Sequence, residues 1–178
     1  LENSGNCDPA LTSEIREIVM KTAYNMRYYD MKLGVRNLSY FMMKADEICQ
    51  HIENSKYGAA FFNIKKFSLI NRKYGFETGN EIISRYIKGL EKLLSDDECV
   101  CTVGGDSGVI LFRPTNIRAV RNYFAGADVQ VKDNSSETVH LKAVVGMNQN
   151  LTRFRDRESI MDSIVPTMNQ AKRTRGTD

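Results

Sequence analysis

The chain has 178 residues, 42% hydrophobic and 26% charged, which suits one globular domain with a real core. Its formal net charge is +3, and apart from Lys172-Arg173-Thr174-Arg175 the cations are spread along the chain, which argues against a nucleic-acid partner. Four cysteines and two histidines (His51, His140) in no metal-ligand spacing give neither a zinc site nor a disulfide framework, so reduced thiols in a cytoplasmic protein are expected.

Residues 1–10 are polar and turn-rich. Thr12 or Ser13 can cap a helix carrying Glu14 and Glu17 in its first turn, and Ile15, Ile18, Val19, Thr22 and Met26 recur at helical spacing to about Tyr29. "YDMKLGVRN" follows, broken at Gly34, and a second helical pattern covers roughly 38–54. "GAAFFNI", 58–64, is a short continuous apolar run and reads as a strand buried on both faces. A short helix then breaks at Gly75, and Thr78 or Gly79 opens a long amphipathic helix to about Leu94.

Two strand-like runs, 99–103 and 109–112, flank Gly104-Gly105-Asp106-Ser107-Gly108 as a hairpin. Pro114-Thr115 starts a short helix to about Phe124. Two candidate strands lie near 128–132 and 138–147, the first read either as a strand of its own or as an extension of the hairpin sheet's edge. A final helix contains Pro166, a kink or restart. This order predicts an α/β sandwich, a mixed central sheet flanked by helices. No apolar run approaches a membrane span, and no signal peptide is visible. Because the chain does not begin with methionine, an upstream sensor or membrane region in a longer protein is expected.

Chemistry gathers where the first long strand ends and the hairpin turns, since ligands in α/β sheets collect at strand ends. Glycines let backbone N–H groups approach a phosphate, and Asp106 beside them is a candidate Mg²⁺ ligand. On residues alone, a plain hairpin turn accounts equally for the pattern.

The longer pattern is specific. "FFNIKKFSLINRKYGFETGNEII" followed by "VGGDSGVILF" resembles the GGDEF family of diguanylate cyclases, whose strand-and-helix motif precedes a Gly-Gly-Asp/Glu-Glu-Phe hairpin. "YDMKLGVRN", "AVVGM" and "QAKRTRG" match three further motifs of that family in order, over roughly 30–176. The resemblance implies a nucleotidyl cyclase or polymerase-palm-like fold, with residues 1–29 as tail and signalling helix and 30–178 as the GGDEF-like domain. It also implies GTP as ligand, Mg²⁺ as cofactor, and a homodimer in which two sites meet.

The resemblance further assigns roles. Asp106 and, weakly, Asn63 fall on the metal positions; Asn71, Asn80, Lys66, Gly104, Gly105, Lys172 and Arg175 fall at or near the nucleotide positions. The departures are many. Asn63 stands for an aspartate, Lys65 for the motif's second acid and Ser68 for its lysine. Ser107 replaces the glutamate thought to assist catalysis, and Gly108 the phenylalanine, which should loosen the turn. Asn80 replaces an acidic guanine acceptor, and Ser95-Asp96-Asp97-Glu98 lacks the arginine of the product-inhibition motif. Asn63, Asp106, Asn71 and Lys172 each also have a purely structural reading as strand-end, turn or helix-end residues.

These departures lead to the expectation of a degenerate, catalytically inactive GGDEF domain in a bacterial cyclic di-GMP signalling protein. It would serve as a regulatory or dimerisation module with at most weak GTP binding. The alternatives are an active diguanylate cyclase with an atypical metal site, resting on Asp106, the lysines and Asn71, and a pure interaction scaffold built on the N-terminal helix.

Overall fold

The strand read from the apolar run at 58–64 forms over those residues, Gly58–Ile64, and the domain is assembled on it. The structure, a computed structural model, describes residues 9–50, 56–152 and 154–174; the side chains of residues 9 and 167–174 lie outside that description. The elements are α1 (Pro9–Tyr28), β1 (Tyr29–Asp30), β2 (Val35–Arg36), α2 (Leu38–Gln50), β3 (Gly58–Ile64), α3 (Phe67–Tyr74) and α4 (Phe76–Glu91). Then come β4 (Cys99–Gly104), β5 (Ser107–Phe112), a 3-10 turn (Pro114–Asn116), α5 (Ile117–Ala125), β6 (Ala127–Gln130), β7 (Thr138–Leu141), β8 (Ala143–Asn148) and α6 (Arg157–Thr174).

The central sheet has four strands in the order β4-β5-β3-β8. Its three pairings are antiparallel, and a parallel bridge joins Asn37 to Thr102 at the β4 edge. Side chains alternate across β3 because successive residues of a strand face opposite ways. Ala60, Phe62 and Ile64 join one core with Ile82, Ile83, Tyr86, Ile87 and Leu90 of α4 and Val120 and Phe124 of α5. Ala59 and Phe61 join the other with Tyr40, Phe41 and Ala45 of α2 and Ile160 and Ile164 of α6. Cys99 and Cys101, two apart on β4, are free thiols buried on this second face. Helices thus cover both faces, and each layer removes a large apolar area from water at about 25 cal/mol per Å².

Two expectations change in detail, and part of a third lies outside the described residues. The strand near 128–132 does not extend the hairpin sheet; β6 pairs with β7 as a separate two-stranded sheet. Its alternation explains this, because Ala127 and Val129 are buried while Asp128 and Gln130 are exposed, so one face covers the α4–α5 core and the other meets water. The last helix runs through Pro166 without restarting. The second helix ends its described part at Gln50, and the rest of its expected span, 51–54, lies outside the described residues.

The N-terminal helix behaves differently from the others. Leu11, Ile15, Ile18, Val19, Met20 and Met26 of α1 are all between 51% and 69% exposed, so its apolar side chains do not pack on this domain. Its C-terminal end is anchored by the Tyr28–Tyr40 edge contact and by Asn37, whose backbone N–H donates to the Tyr28 carbonyl and whose amide donates to the Arg27 carbonyl.

Candidate functional site at the end of the third strand

Asn63 is the penultimate residue of β3 and pairs with Ser107 across β5. Register therefore brings the strand end against the hairpin tip. Gly104 pairs with Ser107, leaving Gly105 and Asp106 as a two-residue turn. Gly105 has φ 56° and Gly104 φ 125°, conformations that favour glycine, so the two glycines are required by the turn itself.

Three bonds close the tip onto β3. The backbone N–H of Ile64 donates to the Asp106 carbonyl at 2.9 Å. The Asn63 amide nitrogen donates to Asp106 Oδ1 at 2.7 Å and to Ser107 Oγ at 3.0 Å. The reverse amide orientation would set two oxygens against each other at the 2.7 Å contact, so the NH₂ must face the carboxylate.

This geometry tests the Mg²⁺ that the resemblance implies. Mg²⁺ takes oxygen ligands. The Asn63 group facing Asp106 is a donor, so it presents hydrogens where an ion would need lone pairs. Turning the amide would break a hydrogen bond to a charged group, worth about 1.5–3 kcal/mol. It would still bring no charge, whereas each unit-charge pair at about 4 Å is worth roughly 4 kcal/mol at an effective dielectric near 20. Among the described residues no group of three or more His, Cys, Asp or Glu is placed to hold a metal ion. The residues present do not fit the group.

The remaining candidates fall on the flanking helices. Lys66 is exposed, on the link from β3 to α3, and has the left-handed φ of 54° that costs an L-residue about 1–2 kcal/mol. Asn71, on α3, presses its side-chain oxygen on Gly79, where a Cβ would lie 2.0 Å from Oδ1. Gly79 lets Asn71 sit this close, and the packing of α3 on α4 places Asn71 beside the residue next to Asn80. Asn80 lines an open cavity of about 600 Å³ with Lys32, Leu33, Glu77, Glu81 and Ser84 among others. Lys172 lies in α6 with its side chain undescribed, and Arg175 lies outside the described residues.

The expectation that Gly108 loosens the turn is overturned. Gly108 is buried opposite Phe62, whose ring fills the space beside it. The segment before the hairpin is also committed elsewhere. Glu98, 2% exposed, accepts from the backbone N–H groups of Ser95 and Arg113 and from the Asn116 amide. Asp97 accepts from Tyr57 and Arg113. The Arg113 guanidinium holds the Asp97 carboxyl below its ordinary range, and burial, followed by the Asp97 bond, pushes the Tyr57 phenol up to about 12.

Sequence reasoning did not find three features: the role of Ser107 as an acceptor for Asn63, the Glu98 network, and Lys32 in the cavity beside Asn80. The first was legible in principle from hairpin register. The second had only a weak signal, a carboxylate at the start of a buried strand.

Comparison with known proteins places this geometry in a family context. Residues 27–177 match the family described as "Diguanylate cyclase, GGDEF domain". Protein y4lL of Sinorhizobium fredii is 24% identical over 137 residues, which cover 74% of this chain and 17% of that protein. Among solved structures, the coiled coil and GGDEF domain of DgcB from Caulobacter crescentus, in complex with c-di-GMP, is similar with a TM-score of 0.74 and 17% identity, covering 93% of this chain and 91% of that one. A diguanylate cyclase/phosphodiesterase from Caldicellulosiruptor saccharolyticus gives a TM-score of 0.71 and 12% identity, covering 85% and 91%. Diguanylate cyclase SiaD from Pseudomonas aeruginosa, solved in complex with its activator SiaC, gives 0.68 and 14%, covering 93% and 67%.

Proposed function

The chain belongs to the GGDEF family of diguanylate cyclase domains, and from that premise we propose that it is a catalytically silent regulatory and dimerisation module of a cyclic di-GMP signalling protein. One observation carries the reading. Where the resemblance calls for two anionic metal ligands, one is Asn63, and its NH₂ is spent on the other, Asp106. Two-metal condensation needs both phosphate and hydroxyl oxygens clamped by cations, and this pair supplies a single negative charge. GTP binding is at most weak, through Gly104, Gly105, Lys66, Asn71 and Asn80 with Lys172 and Arg175. Asn80 can accept from guanine with one carbonyl oxygen, where an acid would accept two bonds.

The test is incubation of the purified chain with GTP and Mg²⁺ or Mn²⁺. The expected result is no cyclic di-GMP. Appreciable product that disappears in Asp106→Ala would instead establish an active cyclase.

A second part of the proposal concerns residues 1–29 as a signalling and association segment ahead of the domain at 30–178. The exposed apolar residues of α1 support it, and so does the likeness to a DgcB structure that includes its coiled coil. The occupant is a second copy of this chain, and an upstream sensor region would feed through the same helix. The bacterial sources of the relatives support a bacterial setting, and a cytoplasmic place of action is part of the same proposal. Sedimentation should give a dimer that is lost when residues 1–29 are deleted; a monomer at high concentration would refute it.

A further inference from the structure

We infer that the Asn63 carboxamide is a permanent stand-in for a divalent cation. It ties the end of β3 to the hairpin tip, makes that closure independent of Mg²⁺ and Mn²⁺, and keeps the cleft from taking such an ion. The inference rests on the reading of a silent module and assigns its cause to one chemical group.

The substitution works through electrostatics. A cation between two carboxylates holds them together by neutralising both. In this chain a neutral dipole does the same between one carboxylate and a hydroxyl. The two hydrogens of Asn63 Nδ2 have two acceptors, Asp106 Oδ1 at 2.7 Å and Ser107 Oγ at 3.0 Å. The Ile64 to Asp106 backbone bond beside them fixes the same tip from the main chain. An aspartate at 63 would put a second carboxylate about hydrogen-bond distance from Asp106, and two such groups cannot both stay ionised without a cation. One side-chain atom thus decides whether the cleft demands an ion or rejects it.

The probe is Mn²⁺ alone, followed by electron paramagnetic resonance on the full chain without nucleotide. The wild type is expected to leave Mn²⁺ free and to melt at the same temperature in EDTA and in millimolar Mg²⁺. Asn63→Asp is expected to bind one Mn²⁺ at least about tenfold more tightly than the wild type. It should melt lower than the wild type in EDTA, recover with Mg²⁺, and lose the ion when Asp106→Ala is added. Wild-type binding as tight as that of Asn63→Asp overturns the inference, as does a folded Asn63→Asp that gains no affinity.

Should Asn63→Asp not fold, Asn63→Ala keeps the question open to measurement. Without the amide, backbone exchange at Ile64 should quicken equally in EDTA and in Mg²⁺; unchanged exchange overturns the inference. Because no nucleotide is present in any of these readouts, they are separate from the cyclase assay. Cyclic di-GMP made by the wild type would defeat the silent-module reading by itself.

Discussion

Phe62 and Gly108 face each other across β3 and β5 so closely that a methyl group on Gly108 would lie 2.4 Å from the Phe62 ring and 2.8 Å from the Cys101 carbonyl. The ring tip has some room to move, but the carbonyl is backbone. Gly108→Ala is therefore expected to destabilise the domain by about 1–3 kcal/mol through overpacking. Urea unfolding measures it, and an unchanged midpoint would mean that the sheet opens freely at this point.

Tyr86 gives the opposite expectation. It is fully buried in the α4 core, and its hydroxyl has no hydrogen-bond partner among the described residues. Burial pushes its phenol far above the ordinary range. Removing an unsatisfied polar atom of this kind relieves a desolvation cost of about 1–3 kcal/mol. Tyr86→Phe should raise the melting temperature, and a lower one would show that the hydroxyl has an unseen acceptor or water.

Alkaline pH should act through two other tyrosines. Burial raises the phenols of Tyr57 and Tyr123, each to about 12. An acid whose folded value lies above its unfolded value near 10 contributes stability that is complete below that unfolded value. The contribution is lost as pH rises from about 10 towards 12. Absorbance at 295 nm should show at least two phenols ionising late, together with falling stability in this window. Normal titration of both would contradict the packing around them.

Glu98 is expected to matter more than its place in a loop suggests. Glu98→Ala would leave the Ser95 and Arg113 backbone N–H groups and the Asn116 amide without their acceptor. An orphaned buried donor costs about 1–3 kcal/mol; Ser95 is exposed and Arg113 and Asn116 are half-buried, so water offsets part of that cost. A loss of roughly 3 kcal/mol by urea titration is expected, with Glu98→Gln retaining part of it. A neutral Glu98→Ala would mean that solvent replaces the carboxylate.

How much of this was legible in the sequence follows from the range of the interactions. The continuous apolar run of β3 and the positions of Gly75, Gly104 and Gly105 are local signals, and the elements formed where those signals placed them. The pairing of β6 with β7 is not legible locally, because partners are set by which face meets the core, and alternation alone does not name the partner strand. At the site, the loss of charge at Asn63 was visible as a letter. That its NH₂ turns onto Asp106 and Ser107 was not, since side-chain orientation depends on the register between strands 43 residues apart. Gly108 misled for a similar reason, because Phe62 fills its space from another strand.

The exposed apolar side chains of α1 have a consequence for how the protein is handled in solution. Most helical stability in proteins comes from burying an apolar face rather than from propensity. Since α1 buries so little against its own domain, its helical content should rise with protein concentration while the rest of the fold stays unchanged. The N-terminal segment would then register the nearness of a second copy by how firmly its helix is held.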